Sequence, residues 1–575
     1  MKIYMFCKPD LILLHAPSVY DFRTIPNLIG PISDVVPSTP VFEMYPVGFS
    51  SIAEYLEKNG IGVRIVNLAF RMLDDSRFNA EKFIAKLSPK AFGIDLHWLV
   101  HAQGSTEIAR ICKKLHPQIP VILGGLSSTY FHEQLIKLPQ IDYVLRGDST
   151  EIPFFELMTE IKNGSHNFGS IPNLNWKEDN GNIRINDFTY VPDTLDEFSN
   201  NYKNLFKMAV KYGDIKNMTA IYDWWRYPIT AMMTCRGCTH NCIICGGSQR
   251  GLKLYANRKK IVYRPPELIV SDIKDISRFT RSPIFIVGDL NQAPGNYMET
   301  VLDGIKDANI KNELVVELFV PADISYFNKL SNSITKYNIE ISPESHDENI
   351  RRICGKYYSN ADMEDNIRAA LDNGCGKFDI FFMIGLPEQT ESSVMETIDY
   401  CEYLLDTYGK RVVPFIAPLA PFLDPGSIAF ENPDKYGYKI LYKTFEDYRR
   451  ALLNPSWKYF LSYETKWLSR DQIVNVTYRA GKRLNQMKYN YASINEQEYM
   501  KVDERIDYAQ ELIEKIDQIM SINDESERNF KLTELQLDIK KDSIATICDK
   551  EELKWPMIRN GFRYLNIIKA ILFES

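Results

Sequence analysis

The sequence lacks the features that mark several large classes of protein. No uninterrupted apolar run approaches the roughly 18 residues that a membrane-spanning helix requires. The first segment, MKIYMFCKPDLILLHAP, lacks the basic start, long apolar centre and small-residue cleavage site of a signal peptide. We find no internal repeat and no low-complexity tract. These absences predict a cytoplasmic protein, soluble or at most attached peripherally to a membrane surface.

Neither sign of charge is present in large excess. The net charge of −7 over 575 residues gives no overall attraction to nucleic acid or anionic lipid, although a local basic patch can bind either. We therefore predict no nucleic-acid partner. Hydrophobic residues make up 45% and charged residues 25%, which suits a soluble chain with a real core. A chain of this length predicts about three or four domains.

Cysteine is sparse and unevenly placed. Of ten cysteines, four fall between Cys235 and Cys245, and the other six are scattered one at a time. This distribution is not that of a secreted disulfide framework. It predicts reduced cysteines and one metal site in a reducing cytoplasm.

The order of apolar runs and helical patterns predicts four regions. Short apolar runs alternate with helical patterns over residues 1–165, which is typical of a doubly wound parallel α/β domain. Residues 166–226 form a linker with a β-hairpin that turns at Asn180-Gly181. Six strand-helix units over residues 227–435 predict a partial parallel barrel, with its chemistry at the carboxyl ends of the strands. Residues 436–575 show no further strand signals and predict a helical C-terminal domain.

The cysteine cluster reads MTCRGCTHNCIICGGS and admits two kinds of metal site. Two Cys-x-x-Cys pairs can form a tetrahedral zinc site. However, zinc ribbons separate their pairs by roughly 12 to 20 residues, whereas only residues 239–241 intervene here. The alternative is an iron–sulfur cluster held by Cys238, Cys242 and Cys245. Cys235 is then either a fourth ligand or a small residue at a strand end.

The spacing Cys238-x-x-x-Cys242-x-x-Cys245, directly after a strand, resembles the motif of radical S-adenosylmethionine (SAM) enzymes. That resemblance implies a [4Fe-4S] cluster with three thiolate ligands and one open iron, which chelates SAM. Electron transfer to SAM then yields a 5′-deoxyadenosyl radical that abstracts hydrogen from unactivated carbon. It also implies an external reductant such as ferredoxin or flavodoxin.

The same resemblance assigns cofactor-binding residues to the second barrel strand. The segment FIVGDLNQ places Gly288 and Asp289 where the family carries a Gly-Gly-Glu-like motif beside the methionyl amine. Glycine allows close approach of the backbone, and a carboxylate accepts hydrogen bonds from an ammonium group. The segment departs from Gly-Gly-Glu, and a polar strand end is the alternative reading.

Two further strands carry resemblances of the same kind. After the fourth strand, Glu344 and Ser345 lie where the family contacts the ribose or carboxylate of SAM, and Lys356 is either a partner of that carboxylate or part of a solvated helix face. The fifth-strand segment FFMIGLPEQT resembles the one that lies beside the adenine in this family. An ordinary βα turn is its alternative. Its three assigned residues are Gly385, Leu386 and Pro387.

The first domain, followed by this barrel, resembles the cobalamin-binding subclass of these enzymes. The supporting segments are Pro46-Val-Gly48, the turn from Gly124 to Thr129, and Asp142-x-x-x-x-Gly147-Asp148. In the family, the turn that holds Gly124, Gly125 and Ser127 approaches the nucleotide tail of cobalamin. The Asp-x-His-x-x-Gly motif is absent, because Val100 replaces its glycine after Asp95-Leu-His97. A scaffold without cofactor is the alternative.

The chain ends in the aromatic-rich segment WPMIRNGFRYLNIIKAILF. As one helix it places Ile558, Phe562, Leu565, Ile568 and Leu572 on one side, and three basic residues lie toward the other. Such a helix rests on a membrane surface or packs on the barrel.

These patterns together predict a radical SAM enzyme, and three functions stay open. Both large domains resemble archaeal enzymes that build cyclopentane rings into tetraether (GDGT) membrane lipids, which implies a long apolar lipid or small-molecule substrate. The second function is a cobalamin-dependent radical SAM methyltransferase. The third is an iron–sulfur electron-transfer or redox-sensing protein, which needs neither an open iron nor a barrel.

Overall fold

A computed structural model provides the coordinates of the chain. It describes residues 8–25, 27–28, 30–31, 39–178, 180–199, 201–214, 219, 221–538, 546–556 and 561–573. The predicted Ile558 lies outside these residues, and of Leu572 only the helical backbone is described. No helix within the described part of the chain is long and apolar enough to cross a bilayer.

The first sheet has seven strands and is covered by helices on both faces. Its strands are β1 (Leu11–His15), β2 (Val63–Asn67), β3 (Ala91–Asp95), β4 (Val121–Gly124), β5 (Tyr143–Leu145), β6 (Leu174–Lys177) and β7 (Ile183–Ile185). Its helices are α1 (Val47–Lys58), α2 (Leu68–Asp74), α3 (Ala80–Ile84), α4 (Ala102–Leu115), α5 (Leu126–Tyr130), α6 (His132–Leu135) and α7 (Glu151–Asn163). The strand order is β2-β1-β3-β4-β5-β6-β7, and β1 to β5 are parallel.

Apolar side chains alternate across this sheet, as the doubly wound prediction requires. Leu11 and Leu13 of β1 belong to the core under one helical layer, whereas Ile12 and Leu14 belong to the core under the other. Both faces are therefore buried, which is the usual state of a parallel sheet.

The predicted hairpin exists, but the structure does not leave it in a linker. Strands β6 and β7 pair antiparallel with each other, and β6 pairs antiparallel with β5. The hairpin thus extends the first sheet, and the predicted boundary at residue 165 cuts through that sheet. Helix α8 (Tyr202–Tyr212) follows and leads to the second sheet.

The second sheet is a six-stranded, all-parallel partial barrel. Its region contains β8 (Thr230–Met233), β9 (Cys235–Arg236), β10 (Val262–Tyr263), β11 (Ile284–Val287), β12 (Leu314–Leu318), β13 (Tyr337–Glu344), β14 (Phe378–Ile384) and β15 (Val412–Pro418). The helices are α9 (Gln249–Tyr255), α10 (Pro266–Phe279), α11 (Tyr297–Asp307), α12 (Ile324–Ser333), α13 (Glu348–Ile353), α14 (Asn360–Asp372) and α15 (Glu391–Tyr408). The barrel order is β15-β14-β13-β12-β11-β8, and β9 pairs with β10 separately. All six predicted barrel strands are present.

The C-terminal region is helical, with one small sheet that the sequence did not predict. Its elements are α16 (Ile428–Glu431), α17 (Pro433–Tyr436), β16 (Tyr438–Ile440), α18 (Phe445–Ala451), β17 (Tyr463–Thr465), α19 (Arg470–Asn490), α20 (Glu496–Met520), α21 (Glu525–Asp538) and α22 (Tyr564–Phe573). Strands β16 and β17 pair antiparallel across 22 residues of intervening chain. Each strand has only three residues, too few to show an alternating pattern.

Two residues of the predicted apolar side of the terminal helix, Leu565 and Ile568, do not pack on the barrel. Leu565 and Ile568 are 76% and 50% exposed, whereas Ile567 and Ala570 are buried. Phe562 precedes α22 and pairs with Thr280 in an isolated β-bridge. The helix therefore begins later than the sequence pattern suggested, and its buried side is set by α8 and α10.

Candidate active site between the barrel and the first domain

The three predicted cluster ligands lie in one loop between β9 and α9. Ser248 caps α9 by accepting a hydrogen bond from the backbone N–H of Gly251, so the loop ends at a defined point. Ile243, between the second and third cysteines, is buried; its N–H donates to the carbonyl of Cys354 at 3.0 Å, and its carbonyl accepts from Ala429 at 2.8 Å. The loop is therefore held on two sides, and within it Cys238 and Cys242 are half-buried residues and Cys245 is an exposed one.

The sulfur atoms in this loop have surroundings that suit an iron–sulfur cluster. The backbone N–H of His240 donates to Sγ of Cys238 at 3.3 Å, a contact that also tunes clusters of this kind. Burial raises the pKa of the Cys238 and Cys242 thiols, that of Cys242 to about 11. A bound metal offsets this cost by stabilising the thiolate. Within the described residues, no three His, Cys, Asp or Glu side chains are placed to share a single metal ion, whereas a cubane takes each thiolate on a different iron.

Gly288 follows β11 and lies against residues that precede the cluster loop. Its φ is +98°, and a Cβ there would stand 2.8 Å from Oγ1 of Thr234 and 3.2 Å from Sγ of Cys235. Asp289 is buried, but both of its oxygens have partners. Oδ1 accepts from the N–H and the amide side chain of Asn291, and Oδ2 accepts from the N–H of Phe319 at 3.0 Å. Asp289 therefore stabilises the turn after β11 in this structure.

A carboxylate that the sequence reasoning missed lies beside Gly288. Glu317 lies on the same face of β12 as Val315, which packs with Phe285 inside the barrel. Its Oε2 accepts from the N–H of Gly288 at 3.0 Å, and burial raises its pKa to about 7. Glu317 can accept hydrogen bonds from a cationic group at this edge of the barrel. The signal was present in the sequence: ELVVELFV contains two glutamates, Glu313 and Glu317, and the second interrupts its apolar run.

The predicted residues of the fourth strand form a buried ion pair. Lys356 Nζ lies 2.8 Å from Glu344 Oε2, both side chains are 5% exposed, and Lys356 also donates to the carbonyl of Ser342. Lys356 therefore neither lies on a solvated face nor offers an unpaired charge. Ser345 accepts a hydrogen bond from the N–H of Asp347 at 3.1 Å. Both Glu344 and Lys356 act electrostatically on Cys242, which places the pair beside the cluster loop.

The predicted residues of the fifth strand lie against the small sheet formed by β16 and β17. Gly385 has a φ of +94°, and a Cβ there would stand 2.3 Å from the hydroxyl of Tyr463 on β17. Gln389 accepts hydrogen bonds from the N–H groups of Gly385 and Leu386, at 2.8 and 3.2 Å, and so shapes the turn that contains Pro387. None of the contacts seen among the described residues joins this turn to the cysteine loop directly.

In the first domain, Gly124, the last residue of β4, and Gly125, the residue after it, have different surroundings. A Cβ on Gly124 would meet nothing within 4 Å, so this position borders open space. A Cβ on Gly125, whose φ is +115°, would lie 2.6 Å from the backbone of His97. Gly125 is therefore required for packing of the turn on β3, and Gly124 is the residue whose surroundings can accept a ligand. The carbonyl of Ser127 accepts a hydrogen bond from the N–H of Phe131 in α5.

Three histidines meet at the carboxyl ends of β1 and β3, where the strand order reverses. His15 Nδ1 lies 3.0 Å from Asp95, and its Nε2 lies 2.9 Å from the carbonyl of Phe42. His97 Nδ1 lies 2.7 Å from Asp95, and the ring of His101 lies 4.9 Å from that of His15. Burial acts to lower the pKa of His15, but Asp95 raises it on balance. This charged cluster holds the two strands together at the crevice where doubly wound domains bind ligands.

Residues beyond the carboxyl ends of β4 and β5 in the first domain contact the region after the cluster loop. Asp148, after β5, forms a bidentate ion pair with Arg258, which follows α9; their side chains are 7% and 2% exposed. Tyr130, at the end of α5, lies 6.0 Å from the ring of Tyr255 in α9 and donates to Glu431 at 2.7 Å. The loops that end the first sheet are thus in direct contact with the helix that follows the cysteines.

Breaking this ion pair is expected to destabilise the contact strongly. In Arg258→Met the buried Asp148 loses its partner, which costs about 3–5 kcal/mol. The midpoint of urea unfolding should fall accordingly, and the double variant Arg258→Met/Asp148→Leu should recover a large part of the loss. The matched control is Arg368→Met, which breaks the exposed pair with Asp365 at 2.6 Å and should change the stability by less than about 1 kcal/mol. Equal effects of the two single variants would show that the buried pair does not hold the domains together.

The interior of the barrel contains both apolar and charged side chains; Glu340, which alternates with Ile339 and Ile341 of the helix-packed core, is only 3% exposed. Phe285 and Val315 pack there with Trp224 and Trp555, and on the opposite side the rings of Phe381 and Phe415 stack 4.9 Å apart. At the amino ends of the strands, Lys377 and Asp379 pair at 2.9 Å, and Lys488 and Glu552 pair at 2.6 Å. The segment that ends at Trp555 thus closes that end of the barrel. Phe285, Val315, Phe381 and Phe415 thus pack with residues of this closed end, whereas Glu317 lies near the cluster loop.

Family models match both domains. Residues 34–153 match the model described as "B12 binding domain", and residues 232–401 match the one described as "Radical SAM superfamily". The predicted fold class is therefore confirmed. The predicted cofactors, a [4Fe-4S] cluster with SAM and cobalamin, are confirmed at the level of these two domain families.

Three curated proteins are similar over part of the chain. An uncharacterized methyltransferase of Pyrococcus horikoshii is 27% identical over 35% of this chain and 40% of its own length. An anaerobic magnesium-protoporphyrin IX monomethyl ester cyclase of Synechocystis is 25% identical over 44% of this chain and 46% of its own. A cytidylyl-2-hydroxyethylphosphonate methyltransferase of Streptomyces wedmorensis is 23% identical over 35% and 43%. The chain spans less than half the length of each relative.

Two solved structures share the fold. The cobalamin-dependent SAM radical enzyme OxsB, with aqua-cobalamin and SAM bound, superposes on 98% of this chain and 79% of its own at a TM-score of 0.55 and 11% identity. The radical SAM methyltransferase TsrM from Kitasatospora setae, with cobalamin and a [4Fe-4S] cluster bound, covers 71% of this chain and 75% of its own at a TM-score of 0.51 and 17% identity. At these identities the likeness shows the fold.

Proposed function

We propose that this chain, which carries a B12-binding domain and a radical SAM domain, is an enzyme that uses both cofactors on one substrate. The buried contact between Asp148 and Arg258 carries this proposal, because it joins the crevice of the first domain to the helix after the cysteine loop. A first domain that served only as a scaffold would not need the loops at the carboxyl ends of its strands to lie near the iron–sulfur cluster. An electron carrier would need no barrel of this size.

The residues present suit the two cofactors. Cys238, Cys242 and Cys245 would hold the cluster, and Glu317 together with the backbone at Gly288 would bind SAM beside it. The open space at Gly124 would receive part of the cobalamin. The cluster and SAM supply a 5′-deoxyadenosyl radical, and cobalamin supplies a cobalt-bound methyl group or a second redox centre. A ferredoxin- or flavodoxin-like reductant would supply electrons.

We further propose a long apolar substrate, in which the enzyme joins two carbon atoms into a ring. The apolar lining formed by Phe285, Val315, Phe381 and Phe415 supports the substrate class. Two molecules of SAM, each cleaved with one electron from the reductant, would each take one hydrogen atom from an unactivated carbon and leave as 5′-deoxyadenosine and methionine. The two carbons that lose hydrogen would then join in a new C–C bond. The cyclopentane rings of archaeal tetraether membrane lipids have this chemistry. The similarity to a cyclase supports ring formation as a reaction type.

Methyl transfer to an unactivated carbon is the second candidate. Its supporting observation is that two of the three curated relatives are named as methyltransferases. Contact between the carboxyl ends of the two sheets also suits methyl transfer, because a substrate radical must meet the methyl donor without leaving the site. The two candidates share every residue of the site described above and differ in what the product gains or loses.

The composition of the product is expected to separate these candidates. Ring formation removes two hydrogen atoms per ring and gives 5′-deoxyadenosine without matching S-adenosylhomocysteine. Methyl transfer adds one CH₂ unit and consumes a second SAM to remethylate cobalt, so S-adenosylhomocysteine forms in step with 5′-deoxyadenosine. Mass spectrometry of lipid and nucleoside products from reconstituted enzyme with tetraether lipid in detergent measures both. A heavier, methylated product with stoichiometric S-adenosylhomocysteine would replace the ring-forming proposal by the methyltransferase.

A further inference from the structure

The last described helix presents large apolar side chains to solvent. Leu565, Tyr564 and Ile568 are 76%, 58% and 50% exposed, and Trp225 beside them is 51% exposed. The rings of Trp225 and Tyr564 lie 6.5 Å apart with an angle of 24° between their planes. These four residues form one patch, which we call the aromatic-aliphatic patch.

The opposite side of α22 is buried and holds the helix in place. The other side of α22 buries Ile567 and Ala570 against Phe206 of α8 and Phe279 of α10, and this contact anchors the helix. The N–H of Arg563 donates to the carbonyl of Phe279 at 2.7 Å, and the side chain of Asn566 donates to the carbonyl of Arg278 at 2.8 Å. The helix is therefore held firmly by one side while the patch faces outward. A mainly apolar outer face on an anchored helix suits a surface that binds something.

Basic residues outnumber acidic ones around the patch, although the whole chain carries a net charge of −7. Residues 561–575 include Arg563 and Lys569 and one acidic residue, Glu574, and beside Trp225 lie one acidic and one basic residue, Asp223 and Arg226. Arg281, whose N–H donates to the carbonyl of Gly561 at 3.0 Å, is also exposed beside the start of the helix. Trp and Tyr with Lys and Arg at their edge are the side chains that prefer the boundary between lipid headgroups and acyl chains. This composition fits an anionic bilayer.

The patch is continuous with the interior of the barrel. Phe562 lies 5.3 Å from the ring of Trp225 and stacks on Trp224 at 4.6 Å. Trp224 in turn packs with Phe285 and Val315, which line the barrel. An unbroken series of apolar side chains therefore leads from the patch to the interior that the proposed function assigns to an apolar substrate.

We propose that the aromatic-aliphatic patch on α22 docks this enzyme on the surface of an anionic lipid bilayer, from which it takes its substrate. Tyr564, Leu565, Ile568 and Trp225 enter the headgroup region, and Arg563 and Lys569 lie against the anionic headgroups. The second part, substrate uptake, rests on the proposed apolar substrate. Docking itself does not, because it is measured on lipid alone and without turnover.

Co-sedimentation of the full chain with phosphatidylcholine vesicles containing phosphatidylglycerol tests the docking. The native protein should bind these vesicles, bind pure phosphatidylcholine vesicles more weakly, and lose part of its binding in high salt. The fluorescence of Trp225 should shift to shorter wavelength on binding. In Leu565→Asp/Ile568→Asp, the partition coefficient should fall about tenfold or more, since two apolar side chains no longer leave water.

Two control variants test whether any exposed apolar residue has the same effect on vesicle binding. Leu254→Asp and Phe530→Asp replace apolar residues that are 59% and 62% exposed far along the chain from α22, and both should bind vesicles as the native protein does. Sedimentation velocity of the native and Leu565→Asp/Ile568→Asp proteins reports whether the patch instead joins two copies. Loss of a dimer in that variant, with no vesicle binding by the native protein, would overturn docking. Formation of 5′-deoxyadenosine with detergent-dispersed lipid would still test the proposed function separately.

Discussion

Alanine in place of Cys238, Cys242 or Cys245 is expected to abolish cleavage of SAM to 5′-deoxyadenosine. Each thiolate holds one iron of the cubane, so removing any of them leaves an iron without a protein ligand. Anaerobically reconstituted native protein should contain about four irons and four sulfides per chain, and the variants far fewer. Iron and sulfide analysis and chromatography of the nucleoside products measure the two effects.

The structure supplies two matched controls for this experiment. Cys235 lies on β9, is 8% exposed and packs beside Gly288, outside the loop that contains the three ligands. Cys354 is fully buried, and it contacts the loop through its backbone carbonyl, which alanine keeps. Cys235→Ala and Cys354→Ala should therefore retain the cluster and the cleavage of SAM. An inactive Cys235→Ala, in a protein that binds zinc instead of iron, would refute the iron–sulfur site.

Tryptophan at Gly124 is expected to prevent cobalamin binding. The space next to Gly124 contains no atom within 4 Å of a Cβ, so the indole ring would enter the space assigned to the cofactor without displacing protein. The native protein, purified from cells supplied with cobalamin, should show corrin absorption, and Gly124→Trp should show none. Far-ultraviolet circular dichroism of the variant should match that of the native protein.

Two other glycines separate ligand exclusion from damage to the fold. Gly169 also borders open space but lies after α7, away from the crevice, so Gly169→Trp should keep the corrin absorption. Gly125→Ala should lower the melting temperature whether or not cobalamin is present, because its Cβ would overlap the backbone of His97. If the native protein never binds cobalamin, the first domain is a scaffold and not a cobalamin-binding domain.

Much of the fold and part of the site were predictable from local patterns. Strands such as β1 and β14 are apolar runs bounded by turn residues, so their existence follows from short-range sequence. The cysteine loop was predictable because its spacing is itself the chemical requirement. The site residues on later strands were found at strand ends, where the resemblance put them, but their partners were not foreseeable.

Those partners come from parts of the chain far away in sequence. Asp289 is occupied by Phe319, Lys356 by Glu344, and Gly385 is a glycine because Tyr463 lies against it. Glu317 acquires its place beside the cluster loop only because β12 pairs with β11. Register between strands and packing between domains set these relations, and neither is encoded in a short window of sequence.

The sequence by itself determined the order of most strands and helices and the spacing of the three cysteines, because periodicity and spacing are local properties; a family resemblance implied the two cofactor-binding domains. Only the tertiary structure decided that the hairpin joins the first sheet, that Arg258 meets Asp148, and that α22 buries Ile567 and exposes Leu565. An apolar residue on a helix has several sides that it can bury. Which side is buried depends on the surface against which the helix packs, and here α8 and α10, more than 280 residues earlier in the chain, provide that surface.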